Sequence, residues 1–122
     1  MTPHSREIER IKRLVAQVNG CFHDRANNVV VNVLPQAQRL YGSAGIPDLY
    51  VQMPRDSEVF WFEVKVGRDK PSPAQQAFSE RERSAGGVGT IVGNLGSFVD
   101  FLLQYEWTPA QRAILLASKE AT

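Results

Sequence analysis

Apolar and charged residues alternate along residues 60–67, FWFEVKVG, in the pattern of a half-buried strand. Phe60, Phe62 and Val64 would point to one face of a sheet, whereas Glu63 and Lys65 would point to the other. A carboxylate and an ammonium group therefore share one side of a very hydrophobic strand. The alternation predicts the strand and leaves this charged pair to be explained.

Helical periodicity begins at the N-terminus, where Thr2 and Pro3 form a typical N-cap and first helical residue. Apolar residues then recur at helical spacing at Ile8, Ile11, Val15 and Val18. This pattern predicts an amphipathic helix that ends near residues 19–20. The next β-branched run, residues 28–34, predicts a strand, and the small, polar segment 36–45 predicts an exposed loop.

Turn and cap residues divide the remaining chain into short elements. The pattern predicts strands at 49–53 and 59–66 around a turn at 54–57, a helix from Ser72-Pro73 to about Ser84, a strand at 88–92, a helix from Ser97 to about Tyr105 and a last helix from Thr108-Pro109. Ser97 and Asp100 resemble a capping box. The order αβββαβ followed by two helices predicts an α/β fold in a single domain, 1–122, with its core at about 5–104 and an extra helix at 107–119.

Composition narrows the class of protein. A chain of 122 residues with a net charge of +1 suits one globular domain with at most a local basic patch. Cys21 has no second cysteine to pair with, and the N-terminus lacks the apolar core of a secretory signal. These features predict a soluble, cytoplasmic protein. His4 and His23 lack ligand-like spacing, so a zinc site is not expected.

The predicted hairpin gives the charged pair a partner. A turn centred in residues 54–57 sets Asp48 opposite Glu63, with Cβ atoms about 4.5–5.5 Å apart, and Lys65 further along the same face. Two facing carboxylates repel, and a divalent cation such as Mg²⁺ or Mn²⁺ would relieve the repulsion. This arrangement suits phosphodiester hydrolysis. The alternative is a solvated stripe of Glu and Lys, because a register slip of one residue would separate the groups.

Three short motifs in order, GIPD at 45–48, EVK at 63–65 and SPAQQAF at 72–78, resemble the PD-(D/E)XK nuclease superfamily. More narrowly, they resemble its VRR-NUC (virus-type replication-repair nuclease) branch over roughly residues 7–103. The resemblance implies a restriction-endonuclease-like αβββαβ core with a mixed central sheet flanked by helices, here with additional C-terminal helices. It also implies DNA as the substrate and a divalent metal, Mg or Mn, as the cofactor.

The resemblance assigns roles to individual residues. It implies that Asp48 and Glu63 hold the metal with the backbone carbonyl of Val64, and that Lys65 acts on the attacking water. Gln75 matches the glutamine of the helix that follows the motif, where it would orient Lys65 or water. The tetrapeptide SPAQ that contains Gln75 is a weak signal, because the similar TPAQ at 108–111 is an ordinary helix start.

An acidic residue on the first helix often completes such sites. Glu7 falls within the apolar arc of that helix at about 100° per residue, whereas Glu9 falls on the opposite face, so Glu7 is the candidate. Candidates for DNA contacts flank the motifs and carry positive or aromatic side chains: Arg39, Tyr41, Arg68 and Lys70. No base-reading motif is present, so recognition by DNA shape is expected.

These features and the family resemblance predict a metal-dependent, structure-selective DNA endonuclease, and the resemblance implies branched DNA such as Holliday junctions as its substrate. The resemblance to stand-alone resolvases implies a bacterial or phage-infected cell as the setting. Two symmetric cuts in a junction would require a homodimer. Two alternatives stay open: a non-catalytic nucleic-acid-binding module with the nuclease fold, and a monomeric nuclease that cuts flaps or nicks.

Overall fold

The computed structural model describes residues 2–21, 29–33, 45–54, 58–68 and 70–120. Its elements, in chain order, are α1 Pro3–Asn19, β1 Val30–Val33, β2 Leu49–Gln52, β3 Val59–Val64, α2 Pro73–Ser84, β4 Thr90–Gly93, α3 Leu95–Leu102 and α4 Pro109–Glu120. The predicted order αβββαβ with additional C-terminal helices is therefore confirmed. The predicted loop at 36–44 and the hairpin turn at 55–57 lie outside the described residues.

Within the described ranges, the strands form one sheet in the order β1-β2-β3-β4. The pairs β1–β2 and β2–β3 are antiparallel, and β4 joins β3 in parallel. A parallel neighbour requires a crossover connection, and α2 lies in that connection. The sheet is thus mixed, as the resemblance implied.

The register of β2 and β3 agrees with the predicted hairpin. Leu49 pairs with Phe62, and Gln52 pairs with Val59. The ladder continues beyond the strand, because the Met53 N–H donates to the Glu58 carbonyl at 2.8 Å. This register brings Asp48 opposite Glu63, one position past the last ladder pair.

The two faces of the sheet have different coverings. Alternate strand residues point into the main core, where they pack with α1, α3 and α4; they are Leu49, Val51, Phe60, Phe62 and Val64. Phe98 of α3 contacts Phe62 edge-on at a centroid distance of 5.2 Å. On the opposite face, Trp61 contacts Tyr50 at 5.0 Å and Phe78 of α2 at 5.3 Å. The charged strand positions lie on this second face, the one that α2 covers.

Helix starts follow the predicted cap residues with one exception. Thr2, Ser72 and Thr108 each accept a hydrogen bond from the backbone N–H three residues later. The prediction for α3 was wrong: Asn94 is its N-cap, and Ser97 is the third helical residue that completes the capping box. Starting one turn earlier buries Leu95 with the rest of the apolar stripe, and the helix ends at Leu102 rather than near Tyr105.

The segment that leads into β2 approaches α2 closely. Gly45 has a φ of +86°, and a Cβ there would lie 2.2 Å from the Ala74 carbonyl oxygen and 2.8 Å from the Gln75 nitrogen. Only glycine allows this approach, since any other residue would collide with backbone. Pro47 follows and is buried just before Asp48. The start of α2 and the start of β2 are therefore held together.

No helix in the described ranges combines the length and the apolar character needed to span a bilayer.

We expect Gly45→Ala to lower the free energy of unfolding by more than about 3 kcal/mol, because strain from positive φ, about 1–2 kcal/mol, adds to the backbone collision. Gly67→Ala is the matched control. Its φ is +64° but a Cβ there has no neighbour within 4 Å, so only the conformational cost applies. Urea denaturation of both variants measures the difference. Equal losses would show that the close approach to α2 is not important for stability.

Candidate active site

Two buried carboxylates face each other at the open end of the β2–β3 ladder. Asp48 is 1% exposed and Glu63 is 3% exposed. The Asp48 backbone N–H donates to Glu63 Oε2 at 3.1 Å, and the Val64 backbone N–H donates to Asp48 Oδ2 at 3.0 Å. Each acid is therefore held by a backbone group of the other strand. The sequence predicted this juxtaposition from the hairpin alone.

The electrostatics of the pair are unfavourable. Burial, and after it the neighbouring Asp48 carboxylate, raise the pKa of Glu63 from 4.5 to about 7. Lys65 opposes this shift, and its Nζ lies 3.8 Å from Glu63 Oε1. The ammonium group is partly exposed, so it offsets only part of the cost of burying two acids.

Gln75 is the third residue of α2, and its backbone nitrogen lies close to Gly45, shortly before Asp48 in the chain. Its Oε1 accepts the Ser72 backbone N–H at 2.9 Å, and its own N–H donates to Ser72 Oγ at 3.2 Å. Gln111 forms the same reciprocal pair with Thr108 at the start of α4. The structure thus gives Gln75 a capping role, and its predicted action on Lys65 or water stays a prediction.

Glu7 occupies the inner face of α1, as the helical geometry predicted, and it is 8% exposed. Its Oε2 accepts the Leu95 backbone N–H at 2.8 Å, and its Oε1 accepts from Arg10 at 2.9 Å. Glu9 forms a more exposed ion pair with Lys12 at 3.3 Å. Glu7 therefore joins α1 to the start of α3, and its assignment to the active site stays a prediction.

The sequence reasoning missed His4. Its Nε2 lies 3.0 Å from Asp48 Oδ2. Donor atoms of His4, Asp48 and Glu63 all lie within 4.8 Å of one another. The residue was set aside because it has no partner at ligand-like spacing along the chain. The packing of α1 against the sheet brings His4 to Asp48, and no local sequence pattern predicts this contact.

The predicted DNA contacts are only partly described. Arg68 and Lys70 are exposed in the segment that follows Lys65 and precedes α2. Arg39 and Tyr41 lie outside the described residues. Two cationic side chains that lie close to Glu63 in the sequence are therefore exposed to solvent.

A divalent cation fits the donor set. Two carboxylates and an imidazole converge within 4.8 Å, and both carboxylates are almost fully buried. Buried acids so close together need compensating charge, and oxygen and nitrogen ligands of this kind hold divalent ions in proteins. The raised pKa of Glu63 reflects the same deficit of positive charge. His4, Asp48 and Glu63 could therefore hold one cation.

Comparison with known proteins agrees with the motif resemblance. A solved structure described as a VRR_NUC domain superposes with a TM-score of 0.59 and 28% sequence identity. The match covers 88% of this chain and 100% of the other. No protein-family model and no curated protein match the sequence. The restriction-endonuclease-like α/β fold is thus supported by a neighbour that spans most of the chain.

The metal-free protein should lose stability as the pH rises from about 4.5 to about 7. Over that window folded Glu63 keeps its proton while the unfolded chain has lost it, so unfolding releases a proton and becomes easier as pH rises. The effect is on the order of 1–3 kcal/mol at about 1.4 kcal/mol per pKa unit.

Urea denaturation in EDTA at several pH values, on wild type and Glu63→Gln, measures this contribution as the difference between the two proteins. Glutamine keeps the acceptor for the Asp48 N–H but cannot ionise. We expect Glu63→Gln to be more stable than wild type at pH 8 and to lose that advantage near pH 4.5. An advantage that does not change with pH would contradict the raised pKa.

Proposed function

We propose that this chain, which is similar to a VRR_NUC domain over 88% of its length, is a metal-dependent, structure-selective DNA endonuclease of the PD-(D/E)XK type. Its substrate would be branched DNA such as Holliday junctions. The observation that carries the proposal is the buried Asp48–Glu63 pair with Lys65 Nζ 3.8 Å from Glu63. Residues 5–104 would form the nuclease core, and the helix at 107–119 would be an addition to it.

Asp48 and Glu63 would hold a Mg²⁺ or Mn²⁺ ion, together with the backbone carbonyl of Val64. When bound, such an ion lowers the pKa of water and neutralises charge that develops on a phosphate. The fixed positions of both carboxylates support this role, because each is oriented by a backbone N–H of the opposite strand. Little rearrangement would be needed to present their oxygens.

Lys65 would act on the attacking water and offset charge on the scissile phosphate. Its ammonium group reaches the carboxylate pair and remains partly exposed, so a substrate could approach it. Arg68 and Lys70, both exposed, would contact neighbouring phosphates by charge without reading sequence. Arg39 and Tyr41 would serve the same purpose from the segment that leads into Asp48.

A four-way junction needs two symmetric cuts, and one site of this kind cuts one strand. We therefore propose a C₂ homodimer as the form that acts on junctions. The two alternatives make different demands. A flap or nick nuclease can act as a monomer, and a binding module needs no metal.

The first experiment incubates the protein with Mg²⁺ or Mn²⁺ and labelled duplex, single-stranded, flap, fork and four-way-junction DNA. We expect paired, symmetric cuts in the junction. Lys65→Ala should lower the rate about 100-fold or more, because a positioned proton-transfer group contributes about 10²–10⁴-fold. Lys119→Ala is the matched control: its ammonium pairs with Asp100, on the helices that pack against the other face of the sheet, and its rate should equal wild type.

Other outcomes identify the alternatives. Cuts confined to flaps or nicks, with only monomer in sedimentation, would replace the resolvase with a monomeric nuclease. Binding of DNA without cleavage in either metal would favour the non-catalytic module. Asp48→Asn should abolish metal-dependent cleavage yet fold normally, since it removes one of two repelling charges.

A second test separates the two roles of Gln75. Gln75→Ala should lower the cleavage rate of folded protein about tenfold or more if the amide serves catalysis, while the lost cap costs about 1 kcal/mol. Gln111→Ala removes the same cap at α4, and also a buried bond to the Val18 carbonyl. It should cost more stability yet leave the rate unchanged. Equal rates for both variants would reduce Gln75 to a helix cap.

A further inference from the structure

The imidazole of His4 is presented to the carboxylate pair from the first turn of α1. Thr2 caps the helix by accepting the Ser5 N–H at 3.0 Å, and Glu7 holds the helix to Leu95 of α3. His4 therefore comes from a helix start that is fixed at both its cap and its inner face. Its side chain is 35% exposed, so an ion could approach it from solvent.

The spacing between His4 and Asp48 is compatible with a shared ion. Nε2 and Oδ2 are 3.0 Å apart. Two adjacent ligands of an octahedral ion with bonds of about 2.1 Å are about 3.0 Å apart. The two atoms can therefore exchange their hydrogen bond for a common cation with little movement. The ring proton then resides on Nδ1, which leaves the Nε2 lone pair for the metal.

We propose that His4 is the third side-chain ligand of the active-site cation and that it makes the site select Mn²⁺ over Mg²⁺. The inference rests on the proposed function, since it concerns the ion of that same site. Mg²⁺ prefers oxygen ligands and dehydrates reluctantly, whereas divalent transition metals accept imidazole nitrogen. Carboxylates suit both ions. Of these two ions, Mn²⁺ is therefore the one better suited to a site that combines the His4 imidazole with the Asp48 and Glu63 carboxylates.

The competing explanation is that His4 only orients Asp48 through a hydrogen bond. Both explanations predict that removal of His4 weakens metal binding, because an orienting partner is commonly worth about 10–100-fold in affinity. They differ in whether nitrogen contacts the ion. A directly bound imidazole also discriminates between the two ions, whereas an orienting hydrogen bond affects both alike.

The test is calorimetric titration of wild type, His4→Gln, His4→Glu and Glu9→Gln with MnCl₂ and, separately, MgCl₂, without DNA. We expect wild type to bind Mn²⁺ about tenfold more tightly than Mg²⁺, and His4→Gln to lose at least about tenfold for Mn²⁺ and much less for Mg²⁺. His4→Glu should bring the two affinities together by offering oxygen. Glu9→Gln, on the same helix beside Lys12, should match wild type.

Pulsed electron paramagnetic resonance on the Mn²⁺ complex supplies a readout independent of activity. Wild type should show coupling of the ion to an imidazole nitrogen, and His4→Gln should lack it. Equal losses for both ions, no nitrogen coupling in wild type, or no Mn²⁺ binding at all would each overturn the inference. The wild-type spectrum decides the matter even if a variant fails to fold.

The outcomes for this inference and for the nuclease proposal are separable. Nitrogen-coupled Mn²⁺ in a protein that cleaves none of the DNA substrates would support His4 as a ligand and reject the nuclease. Metal-dependent cleavage that proceeds equally with Mg²⁺ and survives in His4→Gln would support the nuclease and reject His4.

Discussion

Two carboxylates buried side by side at the end of a hairpin are the constraint on which the rest of the site depends. Asp48 and Glu63 are almost inaccessible, and their attachment to backbone N–H groups holds them together despite their mutual repulsion. The raised pKa of Glu63 records the cost of this arrangement. Unfavourable electrostatics are typical of functional sites, because a ligand can relieve what the fold cannot. The nearby ammonium of Lys65 relieves only part of it.

The hydrophobic core enforces that arrangement from the opposite face of the sheet. Leu49, Val51, Phe60 and Phe62 must all point toward α1 and α3. A slip of one residue between β2 and β3 would turn these side chains outward, so the register is strongly determined. The same register places Asp48 and Glu63 opposite each other. Packing of the core thus fixes the position of the carboxylate pair.

Helix starts serve the fold and the site together. Ser72 and Gln75 cap α2 at the point where Gly45 packs against the start of that helix. Gly45 shortly precedes Asp48 in the chain. Glu7 caps the start of α3 from within α1. Residues that resemble catalytic candidates in the sequence therefore already have structural partners. The duplicate cap at Gln111 shows that such a tetrapeptide needs no catalytic role to explain it.

Local pattern was enough to predict the elements, the β2–β3 register and the meeting of Asp48, Glu63 and Lys65. These features depend on period-two alternation, cap residues and a short hairpin. All three can be recognised from residues that are close together in the sequence. The predicted start of α3 was wrong because both Asn94–Ser97 and Ser97–Asp100 have the spacing of a capping box. Burial of Leu95 favours the earlier start.

Only the tertiary structure decided which distant groups join the carboxylates. His4 reaches Asp48 across 44 residues, and Glu7 reaches Leu95 across 88. The packing of α1 against the sheet sets both contacts, and that packing angle depends on the whole core rather than on any local spacing. The sequence by itself therefore determined the strand-borne acids and the lysine beside them. The fold determined that a histidine lies against them.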